Sequence, residues 1–439
     1  MFIKVEFGEW LNVLYLHFKD LLSNPDLHLE HDDTLYLFET IGLLLGTPGN
    51  LSADIQTQYL RAVISPHIHS IESTLKAPNI LRDPEHYGHI LSQSIAAISY
   101  LSKGFGRGPQ ENVQILLAET LNVSLRVLQT LPNEEKIRNK TMILIQRMIL
   151  CLSHDKLLTI LPAFLHALID KCTGEDILNV SQLLNQICLK YKHSGAAVLD
   201  AAVYPFIQKC QSIIFSLLES CQVPTSLGSI LFAATSTQIL PPHIQVEQHS
   251  IKKMVYSFLQ HIVCNGATII FLSPSNLPNL ENILQMVLEG ITKSDDASAK
   301  KVCIVFFKEL ILQWGGYDFI STSAHENRSI SDPEQLKIVQ NGLIQFVFQT
   351  LLPGTINCIL DPSFKERDAM QARNLNEISL LLNTVRATQG DVNFENQFVH
   401  PTLSVYNLPS NLMANFRNAR ETKDMSSCLK ELMSILKTS

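Results

Sequence analysis

Apolar residues recur at i, i+3, i+4 and i+7 from Thr34 to about Ala387, the period of helices that bury one face. Alternating runs bounded by Asn-Gly or Asp-Gly, the mark of a hairpin strand, are nearly absent. The predicted helices are of two kinds, arranged in pairs. One kind opens on acidic or polar residues: Asp32-Asp33-Thr34, Asp83-Pro84-Glu85, Pro132-Asn133-Glu134-Glu135, Glu175-Asp176 and Ser294-Asp295-Asp296. Such residues cap first-turn N–H groups and complement the helix dipole. These helices run apolar to stops at Gly46, Gly104, Ser153, Gly195, Gly266 and Gly315. The other kind carries a proline behind apolar residues, at Pro66, Pro162, Pro205 and Pro353. An internal proline costs a helix about 3 kcal/mol and bends it, so its recurrence in one half of each hairpin reads as a built-in bend. The competing reading is that each proline opens a new helix.

The capped helices begin near 34, 84, 134 and 176, in steps of 50, 50 and 42 residues. That is close to the roughly 40–47 residues of HEAT or armadillo repeats. The expected fold is all-α, a HEAT-repeat superhelical solenoid of antiparallel helix pairs with a concave face. Residues 1–33 are expected as an N-terminal helical segment and 34–390 as the array, with polar inserts near 222–242 and 317–333. Residues 391–439 are expected as a C-terminal loop and terminal helix, with a Pro/Asn-rich break from Asn393 to Ser410 and an amphipathic helix over Asp424 to Lys437.

With 439 residues the chain has room for about three domains or one long array. Hydrophobic residues are 46% and charged residues 17%, which excludes intrinsic disorder for most of its length. The densest apolar runs, Val302 to Phe307 and Ala267 to Leu272, fall far short of the roughly 18 residues a bilayer span needs, so no membrane insertion is expected. Glu6 and Glu9 stand where a signal peptide would be apolar, which points to cytoplasm or nucleus. Nine cysteines show no Cys-x-x-Cys spacing; Cys151, Cys188, Cys210, Cys264 and Cys303 sit in apolar runs and read as buried small hydrophobes. No constellation for catalysis, metal or cofactor binding stands out, and His67 and His69, two apart, would diverge on a helix. A net charge of −7 does not announce a nucleic-acid binder, so any basic footprint must be local.

The order of segments carries a resemblance. Asp33-Thr-Leu-Tyr-Leu-Phe-Glu-Thr-Ile-Gly-Leu-Leu-Leu is followed by Ser102-Lys-Gly-Phe and Gln146-Arg-Met-Ile-Leu-Cys-Leu. Leu184-Asn-Gln-Ile-Cys-Leu-Lys-Tyr-Lys and Leu310-Ile-Leu-Gln-Trp-Gly-Gly come next. The series resembles the C-terminal half of the exportin-T family, the tRNA exporters of the importin-β (karyopherin) group, over about Thr34 to Gly354. The resemblance implies a carrier without chemistry or cofactor. Such a carrier wraps mature tRNA by the shape and backbone of its acceptor and T arms, together with Ran-GTP, and shuttles between nucleus and cytoplasm. Ran-GTP binding is expected only through N-terminal repeats that have no counterpart in this sequence. Phe-Gly repeats of the nuclear pore are a further expected partner.

RNA binding by an acidic solenoid needs basic stripes on exposed helix faces. On the helix from Glu134 to Leu152, Lys136, Lys140 and Arg147 fall within about 40° of one another, opposite Leu144, Ile145, Met148, Ile149 and Leu152. Arg138 points toward the apolar side. Lys190 shares a polar face with Asn179, Gln182 and Gln186; Lys253 lies beside Gln260, while Lys252 flanks the core. Lys301 and Lys308 form the narrow polar stripe of an otherwise apolar helix ending at Trp314. In Lys103-Gly-Phe-Gly-Arg-Gly, glycine N–H groups could cradle phosphate, with Lys103 and Arg107 as counter-charges and Phe105 stacked on a base. Against these readings stand plain solvated charges and a glycine-rich connecting loop. The rival function is a protein-binding karyopherin or scaffold that holds a helix or an acidic peptide.

Overall fold

The computed structural model describes residues 31–47, 51–220, 241–316 and 333–438, with isolated positions 13, 17, 20 and 319. The expected N-terminal segment and both inserts lie almost wholly outside the described residues. Regular structure among the described residues is helical, with no strand. The chain divides into two compact units, one ending at Tyr191 and the other beginning at Lys192.

Among the described residues the first unit holds seven long helices: α1 (His31–Gly46), α2 (Ala53–Leu75), α3 (Pro84–Ser102), α4 (Glu111–Thr130), α5 (Glu135–Cys151), α6 (Leu161–Lys171) and α7 (Ile177–Tyr191). The odd-numbered helices pack side by side as one layer, and α2, α4 and α6 form the other. This is the HEAT arrangement expected from the alternation of two helix kinds. Capping follows the sequence at α3, where the Asp83 carboxylate accepts the His86 amide at 3.3 Å and Pro84 takes the first helical position. Leu91 and Ile95 of α3, Leu144 and Met148 of α5, and Leu184 and Ile187 of α7 are fully buried between the layers. Within the odd layer the closest approach is at glycine. A Cβ at Gly42 would meet the Leu101 carbonyl, and one at Gly46 would meet that of Gly104. Only glycine lets the two backbones come so near.

The second unit contains α8 (Ala196–Ser220), α9 (Pro242–Cys264), α10 (Leu280–Thr292), α11 (Ala297–Trp314), α12 (Pro333–Phe346), α13 (Leu352–Leu360), α14 (Ala369–Gln389), α15 (Ser410–Asn418) and α16 (Thr422–Thr438). The helices α9, α11, α14 and α16 form one layer, backed by α8 on α9, α10 on α11 and α13 on α16. The apolar run before Ser273 forms a buried 3-10 turn, Thr268–Leu272. Its Phe271 meets Phe306 and Trp314 edge-on at centroid distances of 6.2 and 6.4 Å.

The prolines divide between the two readings. Pro66 and Pro205 lie inside α2 and α8, and Pro353 lies inside the unbroken helical stretch 333–360, just after a π-helical turn at Val347–Leu351, whereas Pro162 sits in the first turn of a separate helix, α6. The break expected from Asn393 to Ser410 is instead largely helical. A π-helical turn, Glu395–Leu403, carries Pro401 inside it, anchored by buried Phe398, Val399 and Leu403. The wider turn accommodates a residue without an N–H, and core burial outweighs local composition. Cys151, Cys188, Cys210 and Cys303 are buried as expected, but Cys264 is exposed, because α9 ends there and Gly266 turns away with φ +70°. Burial pushes the Cys151 and Cys188 thiols up to about 12, which keeps them protonated. Two helical stretches, 177–220 and 333–360, reach the length and hydropathy of a bilayer span, though no unbroken apolar run does. Leu184, Ile187, Leu352 and Ile356 of these stretches are buried in the helical layers, while Leu178, Leu189 and Ile338 are exposed.

Two measurements check this packing. Gly104→Ala should lower unfolding stability by about 3 kcal/mol or more, because the new methyl meets the α1 backbone. Gly106→Ala, whose Cβ meets nothing nearer than the Leu150 side chain at 3.9 Å, should change it by less than about 0.5 kcal/mol. Urea titrations compare the two. The second concerns His67 of α2, half-buried edge-on against Phe38 at 4.9 Å, where desolvation pushes the imidazole down to about 4 from 6.5. The unfolded chain then binds the extra proton between those values. Stability is full above about pH 6.5 and falls as pH drops toward 4, by up to roughly 3 kcal/mol. His67→Leu should remove that part of the slope in thermal melts taken across the range.

Candidate nucleic-acid interface

On α5 the apolar side is buried as the helical angles require, and the opposite stripe faces outward. Lys136 is exposed and Lys140 half-buried, and neither ammonium has a carboxylate within ion-pair distance among the described residues. Ile143 and Leu150 share this stripe at 37% and 49% exposure. Arg147 is tied down. Its guanidinium donates to the Ser99 carbonyl at 2.5 Å and lies 4.6 Å over the Tyr100 ring, both on α3. Partial burial lowers its pKa from the usual guanidinium range.

Arg138 points inward, as its angle predicts. Its Nε donates to buried Asp176 at 2.7 Å and its Nη1 to the half-buried Pro132 carbonyl at 3.0 Å. Asp176, expected to cap the first turn of α7, is instead a core residue. Its Oδ2 also accepts the Thr173 amide at 3.0 Å and hydroxyl at 3.1 Å. A carboxylate supplied with that many donors tolerates burial, which the capping pattern alone does not reveal.

Along α7, Asn179 donates to Asn139 at 3.4 Å and Gln186 to the Gln146 carbonyl at 3.1 Å, which stitches the polar edge of α7 to α5. Lys190 is exposed one turn beyond Gln186, also without an ion pair among the described residues. Lys136 and Lys140 thus lie on the outer stripe of α5 and Lys190 on the exposed side of α7, while Arg147, expected in the α5 stripe, is engaged by α3.

The glycine-rich segment differs from its expected form. Phe105 is only 2% exposed, so it cannot stack on a base. Gly104 is occupied by the contact with α1, and Lys103 pairs with Glu39 of α1. The tight fold of the turn draws Phe105 into the core, a placement that alternating glycines do not signal. Arg107 remains exposed, on the rim of a cleft of 160 Å³ lined by Gln56, Gly108 and Gln110.

In the second unit every candidate cation faces a carboxylate. Lys253 lies 3.2 Å from Asp296, which also caps α11 through the Ser298 amide at 2.7 Å. Lys301 lies 3.8 Å from Glu377, and Lys308 lies 3.5 Å from Glu377 and 3.4 Å from Glu309. Lys252 is largely buried, and desolvation lowers its pKa. Sequence reasoning passed over Glu377. The available signal was that it is the sole acidic residue of α14, a helix otherwise neutral or basic.

Two-layered helical repeats of this kind define the class. The fold resembles importin-13 in its cytosolic state, with a TM-score of 0.52 and 12% identity over 99% of this chain and 44% of that one. The Exportin-T family model matches residues 23–438, and the chain belongs to the Exportin-T family. Exportin-T of Oryza sativa subsp. japonica is 29% identical over 387 residues, covering 86% of this chain and 36% of that protein. Exportin-T of Homo sapiens is 21% identical over 385 residues, with coverages of 86% and 36%. The chain spans about a third of the length of these curated relatives.

The buried pair sets a stability test. Arg138→Ala should cost about 3–5 kcal/mol by stranding the Asp176 carboxylate, and Arg138→Met with Asp176→Leu should recover most of it. Denaturant midpoints of the single and double variants measure the difference.

Proposed function

We propose that this chain is a cargo-holding part of a tRNA-binding nuclear export receptor, a carrier rather than an enzyme. Its membership of the Exportin-T family supports the class of function. The observation that carries the reading is the group of three outward ammonium groups, Lys136, Lys140 and Lys190, on adjoining helices with no carboxylate paired to them among the described residues. Cations so placed attract a phosphate backbone by counterion release, and each contact adds about 0.7–0.9 to the log–log salt slope. Folded RNA is then held by shape and backbone rather than by base sequence.

Arg107, exposed in the same unit, adds charge, while Arg147 and Lys103 contribute to the extent that their contacts with Ser99, Tyr100 and Glu39 allow. In the second unit Lys253, Lys301 and Lys308 contribute to the extent that their carboxylate partners allow. Ran-GTP would act through N-terminal repeats of the family and release the cargo on hydrolysis. Phe-Gly repeats of the pore would guide a receptor that shuttles between nucleus and cytoplasm. The exposed Ile143 and Leu150 beside the lysines favour, as a second reading, an acidic amphipathic helix as cargo.

Charge reversal tests the reading. Lys136→Glu, Lys140→Glu and Lys190→Glu together should weaken binding of mature tRNA at least tenfold and flatten the salt slope by about two. Filter-binding titrations that superimpose on the wild type would overturn it, and retained binding of an acidic helical peptide would then support the protein-cargo reading.

A further inference from the structure

Lys301 and Lys308 of α11 share a counter-charge that lies on a neighbouring helix and is itself held in place. Glu377 is only 15% exposed on its side chain, on the face of α14 that packs against α11. One turn before it, buried Asn374 donates to the Ala297 carbonyl at 2.9 Å, which fixes the carboxylate's position across from the lysines. From there Glu377 reaches Lys301 at 3.8 Å and Lys308 at 3.5 Å, two turns apart on α11. Lys308 also meets Glu309 of its own helix at 3.4 Å, and the Cys264 thiol of α9 lies close to both of them. The cluster therefore holds two ammonium groups and two carboxylates, with no net charge to offer a polyanion.

We propose that Glu377 is an affinity-setting residue, an internal counter-anion that occupies Lys301 and Lys308 and so limits how strongly the second unit engages RNA. The proposal rests on the tRNA reading above. A phosphate reaching α11 must compete with a carboxylate already fixed between the two lysines. Binding is then dominated by the unpaired cations of the first unit, and the α11 stripe responds only when Glu377 loses its charge.

The test is a salt-titrated binding measurement with mature tRNA. Glu377→Gln keeps the size of the side chain and removes its charge. It should tighten binding roughly three- to tenfold at low salt and steepen the log–log salt slope by about one. Glu309→Gln, which frees Lys308 alone, should give a smaller gain and serves as a second variant should Glu377→Gln fold poorly. Glu366→Gln makes the same charge change at an ion pair with Lys430, 3.0 Å apart, and should have little effect. Lys301→Gln with Lys308→Gln should change wild-type binding less than twofold, yet abolish the gain in the Glu377→Gln background.

A Glu377→Gln gain no larger than that of Glu366→Gln overturns the proposal as a mere net-charge effect. An unchanged titration in both Glu377→Gln and Glu309→Gln overturns it as well. If either result comes while the Lys136, Lys140 and Lys190 reversal still weakens binding, this inference falls and the tRNA reading stands. If that reversal is silent, the tRNA reading itself falls.

Discussion

The approach of α1 to α3 at Gly42, Gly46 and Gly104 fixes the rotation of both helices, because backbone rests on backbone with no side chain to shim the gap. Everything along the odd-numbered layer of the first unit inherits that registration. With α3 so turned, the Ser99 carbonyl and the Tyr100 ring are presented to Arg147 of α5. With α5 so turned, Arg138 points inward to Asp176 at the start of α7, and the side-chain amides of α7 bind α5 along its polar edge. The outward stripe of lysines is what remains once these inward positions are filled.

This layered logic explains why cations of similar helical angle have different chemistry. Lys136 and Lys140 of α5 and Lys190 of α7 have no ion-pair partner among the described residues, so their charge is directed to solvent and to whatever approaches from it. A lysine on α11 lies under the edge of α14, and the facing residue decides its fate. Because exposed ion pairs contribute little to stability while still cancelling charge, pairs such as Lys301 with Glu377 shape the field of the surface more than they hold the fold.

The helices, their buried faces and the caps at Asp83 and Asp296 were legible in the chain itself, whereas Asp176 turned inward and Glu134 makes no side-chain cap hydrogen bond. The apolar period located α1, α3, α5 and α7, and the angle of Arg138 foretold its inward path. The prolines were legible as a class but not one by one. Pro66 and Pro162 look alike in sequence, and only the presence or absence of a helix upstream makes one a bend and the other a beginning. The stretch around Pro401 reads as a loop by composition, yet three buried apolar side chains hold it as a π-helical turn. Phe105 reads as an exposed aromatic between glycines, yet the core takes it in.

By itself the sequence determined that the protein is a stack of helical hairpins, and which side of each helix meets water, because both follow from spacing within a few turns. The tertiary structure alone decided which basic side chains are free. Glu377 is 69 positions from Lys308, and Asp176 is 38 from Arg138. No local pattern connects partners so far apart in the chain, and they meet only because close-packed helices bring one particular residue of each opposite the other.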